Sequence, residues 1–121
     1  MRKREVERYR HRLEALLAEV VEEERRAAGD IAEPGAEELP DPADRATAEE
    51  VRARSLRLHD RELRLEEKIR GALSRLEAGT FGRCTACGAP IPPERLRARP
   101  VTDLCVTCKT EAEQRERVAR A

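Results

Sequence analysis

Four cysteines are the residues in this 121-residue chain best able to do chemistry, and their spacing narrows what that chemistry is. Cys84 and Cys87 form one Cys-x-x-Cys pair, and Cys105 and Cys108 form a second after seventeen intervening residues. Two such pairs at this separation match a four-thiolate zinc site, in which each pair turns tightly so that both sulfurs face one ion. Gly82 and Gly88 flank the first pair with the backbone freedom that such a turn needs. Four sulfur ligands leave no open coordination position, so the expected metal is structural, one per chain. A redox dithiol and a pair of disulfides are the other readings of these residues, but the strand and helix context of a thioredoxin-like motif is missing. A metal also accounts for how residues 80–121 fold. Phe81, Ile91, Leu96, Val101, Leu104 and Val106 are too few for an independent core, and metal binding supplies folding free energy to such modules. The tail from Thr107 to Ala121 has a helical composition and closes the module.

The second chemically notable stretch is acidic. Pro34, Gly35 and Pro40 stop any helix before it, whereas Asp41 followed by Pro42 starts a new one. Asp41 reads as the N-cap, and Asp44 sits three residues on, where a second acid completes a capping box and meets the positive helix end. Between Asp30 and Glu50 eight acids stand against Arg45 alone, a charge of −7. Between Val51 and Arg83 nine bases face five acids, giving +4. Capping is one use for the two aspartates; a probe at the end of a rod, built to be pushed into a partner, is the other. Such a turn repels a phosphate backbone.

The elements that must carry these two sites are helical. With 41% charged and 2% aromatic residues, the chain is poor material for a sizeable core. Glu, Arg, Ala and Leu dominate, as in long helices and coiled coils. Val6, Tyr9, Leu13, Leu16 and Val20 alternate in threes and fours, the seam of a coiled coil, and Ala27 and Ile31 extend it. Val51, Ser55, Leu58, Glu62, Leu65, Ile69, Ala72 and Leu76 repeat the pattern on a second arm, which Gly79 ends. A short connection favours packing the arms against each other over packing each on another subunit. The expected fold is mainly α: a long antiparallel coiled-coil hairpin over residues 1–79, with its acidic tip at about 34–47, attached to a four-cysteine zinc-finger module with a C-terminal helix over residues 80–121. His11 and His59, each alone on a charged face, read as solvated surface residues. Zero formal net charge argues against bulk adhesion to nucleic acid or to an anionic membrane. No targeting or spanning segment is visible, so a soluble, cytoplasmic protein is expected, with its cysteines in a reducing compartment.

Asp41-Pro42-Ala43-Asp44-Arg45-Ala46, the cysteine frame, and Leu96-Arg97-Ala98-Arg99-Pro100 ahead of Asp103-Leu104-Cys105 together resemble the DksA/TraR family of bacterial transcription factors. The resemblance implies a non-enzymatic, monomeric regulator that binds RNA polymerase core rather than DNA and inserts its coiled-coil tip through the secondary channel to modulate initiation. It makes Asp41, Asp44 and Ala46 the functional tip. It also implies guanosine tetraphosphate as effector, with Leu65, Lys68, Arg99 and Lys109 on the factor's side of that site and the stringent response as the setting. Two alternatives have other consequences. In a transcript-cleavage factor the acidic tip would hold a magnesium ion for the polymerase, and in a zinc-stabilised coiled-coil adaptor the partner would be an unrelated protein.

Overall fold

The computed structural model describes residues 1–31 and 41–120. The helix stops Pro34, Gly35 and Pro40, the acids Glu33, Glu37 and Glu38, and the side chains of Asp30 and Ile31 lie outside the described residues. Four helices account for most of the rest: α1 (Lys3–Ile31), α2 (Pro42–Ala78), α3 (Pro93–Ala98) and α4 (Val106–Arg120). Among the described residues the only extended pairing is one isolated antiparallel bridge between Arg83 and Pro90. No helix is long and apolar enough to cross a membrane.

By packing, the chain divides into a base unit of Met1–Glu14 with Lys68–Ala121 and a hairpin unit of Ala15–Glu67. The two arms and the zinc module are therefore sequence segments and not separate bodies, because the outer ends of both long helices belong with the cysteines.

The base unit has an apolar core. Leu13, Ile69 and Ala72 are fully buried, and Leu76, Phe81, Ile91 and Leu96 are buried in the same unit. The Tyr9 and Phe81 rings lie 4.9 Å apart in a tilted arrangement, the favourable geometry for an aromatic pair. Arg12 adds a tie by donating from Nη1 to the Arg97 carbonyl at 2.6 Å. Helix α2 stops where its sequence says it should. Gly79 takes φ 78°, its N–H reaches the Leu76 carbonyl at 3.3 Å, and the Thr80 N–H reaches that of Arg75 at 2.9 Å. These two bonds make a Schellman cap, which satisfies carbonyls that have no partner within the helix.

The hairpin unit is held by the antiparallel pairing of α1 and α2. On α1 the inward set is the expected one, with Val20 buried and Leu16 and Ala27 partly so. On α2 the inward face is Ser55, His59, Glu62 and Glu66, each partly buried, which corrects the seam read from the sequence. Val51, Leu58 and Leu65 are instead 59%, 49% and 39% exposed. Neighbouring residues on a helix point about 100° apart, so taking Leu58 and Leu65 in place of His59 and Glu66, with Ser55 and Glu62 common to both, turns the face by about 50°. His59 is accordingly no surface residue: its Nδ1 is shut off from solvent. His11 is exposed as expected.

Candidate functional site

The first cysteine pair sits in a loop whose turns are set by glycine. Gly82 and Gly88 adopt φ 88° and 77°, a region that other residues enter only with strain. The Gly88 N–H then reaches back to the Cys84 carbonyl at 2.9 Å, and the Cys84 N–H donates to the Ala89 carbonyl at 2.8 Å. The second pair lies at the start of α4, where the Cys108 N–H points at the Cys105 sulfur at 3.5 Å. Thr85 links the two by donating its N–H and its hydroxyl to the Asp103 carbonyl, at 2.8 and 3.2 Å. Arg95 Nε fixes the same segment through the Leu104 carbonyl at 3.2 Å.

All four sulfurs lie within 4.8 Å of one another. The Cys87 and Cys105 sulfurs are 3.8 Å apart, whereas a disulfide needs about 2.05 Å. Four ligands at about 2.3 Å around a tetrahedral zinc ion would be separated by about 3.8 Å, so the donor set fits that ion. The acid–base balance points the same way. Backbone N–H donation, first from Cys105, brings the Cys84 thiol down to about 6, while the Cys105, Cys84 and Cys87 thiols push Cys108 far up. Four thiols this close cannot all ionise unless a cation sits among them. Cys84 is buried and Cys105 and Cys108 are partly so, which suits a closed structural centre better than a reactive thiol.

The start of α2 separates the two aspartates. Asp41 accepts the Ala43 N–H on its carboxylate at 2.8 Å and the Arg45 N–H on its carbonyl at 2.9 Å, so it is the N-cap. The reciprocal half of a capping box is not made. Among the described residues the Asp44 carboxylate makes no hydrogen bond or ion pair, and both Asp44 and Ala46 are exposed.

The remaining expected residues fall in both units. Leu65 is exposed in the hairpin unit, and Lys68 is exposed on α2 in the base unit. Arg99 caps the C-terminus of α3 by giving its N–H to the Arg95 carbonyl at 2.9 Å, which leaves its side chain exposed. Lys109 follows Cys108 directly on α4 and is partly buried. The base unit also holds a feature absent from the sequence reading: an open cleft of about 690 Å³ where Arg8, Arg12, Arg83 and Arg97 rim the Tyr9 and Phe81 rings. Two of these arginines are tied to carbonyls, Arg12 as above and Arg83 to that of Gly88 at 3.3 Å. A carbonyl tie orients a guanidinium without neutralising it, although Glu5 also lines the cleft and Arg97 stands 3.8 Å from the Glu94 carboxylate, so only part of the arginine charge is uncompensated. Its four arginines come from three separate stretches of chain, which no local motif would reveal.

Residues 5–76 match the model of the DnaK suppressor protein DksA N-terminal domain, and residues 79–114 match the prokaryotic dksA/traR C4-type zinc finger. The chain belongs to the DksA family. An RNA polymerase-binding transcription factor DksA from Haemophilus influenzae is 42% identical over 117 residues, covering 97% of this chain and 80% of the relative. That of Escherichia coli K12 is 49% identical over 79 residues, covering 65% of this chain and 52% of the relative, so the match spans about half of that protein. Among solved structures, transcription factor DksA2 from Pseudomonas aeruginosa superposes with a TM-score of 0.79 at 36% identity, over 95% of this chain and 88% of that one. The transcriptional regulator Dks from Chlamydia trachomatis shares the fold, with a TM-score of 0.58 at 19% identity. The boundary between the two DksA family segments falls at the Schellman-capped end of α2, where the hairpin sequence gives way to the zinc-finger sequence.

Proposed function

We propose that this protein is a cytoplasmic, monomeric transcription regulator that binds RNA polymerase core directly and presents the start of α2 to its secondary channel to modulate initiation. The observation that carries this reading is the unequal use of the two aspartates. Asp41 is engaged in capping, while Asp44, one turn along in a member of a transcription-factor family, keeps an exposed carboxylate with no hydrogen bond or ion pair among the described residues. An exposed charge whose only service to its own helix is a favourable place beside the positive helix end remains available to a partner. Ala46, two residues on, is also exposed. No catalytic constellation is required, since such a protein acts by where it places charge.

Zinc held by Cys84, Cys87, Cys105 and Cys108 would fix the base unit, including Arg99 and Lys109 on either side of the second cysteine pair. Together with Leu65 and Lys68, these residues supply the factor's share of a site for guanosine tetraphosphate, whose phosphates suit lysine and arginine. The contact is with polymerase and not with a specific DNA sequence, consistent with the zero net charge.

Retention on immobilised core RNA polymerase tests the partner. The purified protein should be retained at near one-to-one stoichiometry, and its absence from the bound fraction would favour an adaptor for some other protein. Incubation with stalled elongation complexes separates regulation from transcript cleavage: shortened transcripts would overturn the regulatory reading. Lys68→Ala and Arg99→Ala should each keep basal regulation and weaken the response to guanosine tetraphosphate by roughly ten- to a hundredfold, the size of one lost charge-assisted contact.

A further inference from the structure

The cleft of the base unit takes no residue from the metal centre, from the helix start or from the residues proposed to meet guanosine tetraphosphate. One of its walls is a helix face, on which Glu5, Arg8 and Arg12 of α1 follow one another at intervals of three and four residues. From Glu5 to Arg12 this wall runs about 10 Å along the helix axis, the length of about three residues of extended chain. Arg83, Pro90, Pro93 and Arg97 line the cleft from the zinc-finger segment. Proline has no φ freedom to lose when a ligand binds, so that part of the cleft is rigid beforehand. Phe81, Ile91 and Leu96 are buried beneath, with the half-buried Tyr9 ring beside Phe81.

The charge of the cleft is positive after its acids are counted. Glu5 opposes part of it on α1, and Glu94 opposes part of it 3.8 Å from Arg97. Arg12 and Arg83 are bonded to carbonyls, which leaves their charge in place. The exposed Arg8 guanidinium makes no hydrogen bond or ion pair among the described residues, and it also faces an adjoining hollow lined by Lys3, Arg4, Glu7 and His11. Along the first twelve residues six bases face Glu5 and Glu7 alone, a charge of +4. Arg8 and Arg12 stand one turn apart, and Arg83 comes from another stretch of chain, so the cations are spread along the apolar patch. A free phosphate would meet one of them at a time and leave the rings uncovered. An apolar side chain with a carboxylate on either side uses both features.

We propose that this cleft binds an acidic segment of a partner protein, with one apolar side chain over Tyr9 and Phe81 and flanking carboxylates on Arg8, Arg12 and Arg83. Glu5, three residues before Arg8, repels an acid placed further toward the start of α1 and so fixes the register of the segment. The site lies wholly in the base unit, whereas Asp44 belongs to the hairpin unit, so the two proposals can fail separately.

The test uses the full-length, zinc-loaded, ¹⁵N-labelled protein and the acetylated, amidated pentapeptide Asp-Glu-Phe-Glu-Asp at low salt. Amide shifts should saturate and centre on residues 5–12 and 81–97. The peptides Asn-Gln-Phe-Gln-Asn and Asp-Glu-Ala-Glu-Asp, which lack the charge or the apolar anchor, should each bind roughly tenfold more weakly or worse. Arg8→Gln should weaken binding of the acidic peptide severalfold, and Glu5→Gln should tighten it. Shifts that do not saturate or that centre elsewhere overturn the proposal, as does equal binding of the three peptides. Inorganic phosphate bound here as tightly as the peptide would make the cleft a simple oxyanion site and overturn it too. If Arg8→Gln disturbs the fold, Glu5→Gln decides: unchanged or weaker binding contradicts the proposal.

Discussion

The base and the hairpin each bring chemically demanding side chains together, and they settle the resulting conflict differently. In the base, Cys84, Cys87, Cys105 and Cys108 converge to within 4.8 Å, a geometry that a dication converts from repulsive to strongly cohesive. In the hairpin, Glu24, His59 and Glu62 each keep one buried atom without a hydrogen-bond partner among the described residues, as Arg75 does in the base. Burying a polar group without a partner costs about 1–3 kcal/mol, so this part of the seam contributes little cohesion of its own. The base thus has a metal centre to add cohesion, while the polar part of the hairpin seam adds little.

Breaking the metal centre should have the largest effect. Cys87→Ser, or chelation of the metal, should unfold residues 80–121, since structural zinc contributes about 10–16 kcal/mol in such modules. Helicity in the hairpin unit should largely persist, because no hairpin residue ligates the metal. Circular dichroism with metal analysis checks both halves, and loss of all helical signal on chelation would mean that the two regions do not differ as described. Acid should release the metal as well, since the thiolates must be ionised to bind.

A smaller effect separates the two seams. Ile69→Ala in the base removes a fully buried side chain and should cost about 2–5 kcal/mol. Leu58→Ala in the hairpin removes one that is 49% exposed and should stay within about 0.5 kcal/mol. Denaturant midpoints would show the contrast, and equal losses would restore the seam read from the sequence. Smaller still than the core change is the cap. Asp41→Ala should lower stability by about 1 kcal/mol, whereas Asp41→Asn should cost almost nothing because Asn caps as well as Asp.

What could be read in advance was local. The cysteine spacing, the Gly79 terminator and the Asp41 cap each depend on a few neighbouring residues whose conformation is fixed by sterics and hydrogen bonding, and each is as expected. The α1 seam was also legible: Leu13, Leu16 and Val20 are inward as expected, although the adjacent Leu17 is partly buried too, while Val21 is 42% exposed. On α2 the leucines lie beside polar residues at 58–59 and 65–66, and apolarity alone favours the wrong member of each pair. The inward face is chosen by pairing across the hairpin. His59 and Glu66 are partly buried and act electrostatically on Glu24, an influence from another helix that α2's own sequence does not announce. The arginine-rimmed cleft was hidden for the same reason, since Arg8 and Arg83 become neighbours only through the fold.

The central claim concerns the carboxylate of Asp44, and one measurement addresses it: initiation at a sensitive promoter by RNA polymerase carrying either wild-type protein or Asp44→Asn at equal occupancy. The substitution keeps size and removes one exposed charge that makes no bond within the described chain. The account predicts unchanged stability, unchanged retention on polymerase, and loss of the effect on initiation. Regulation by Asp44→Asn equal to that of wild type would contradict it, and would reduce the acidic helix start to a cap.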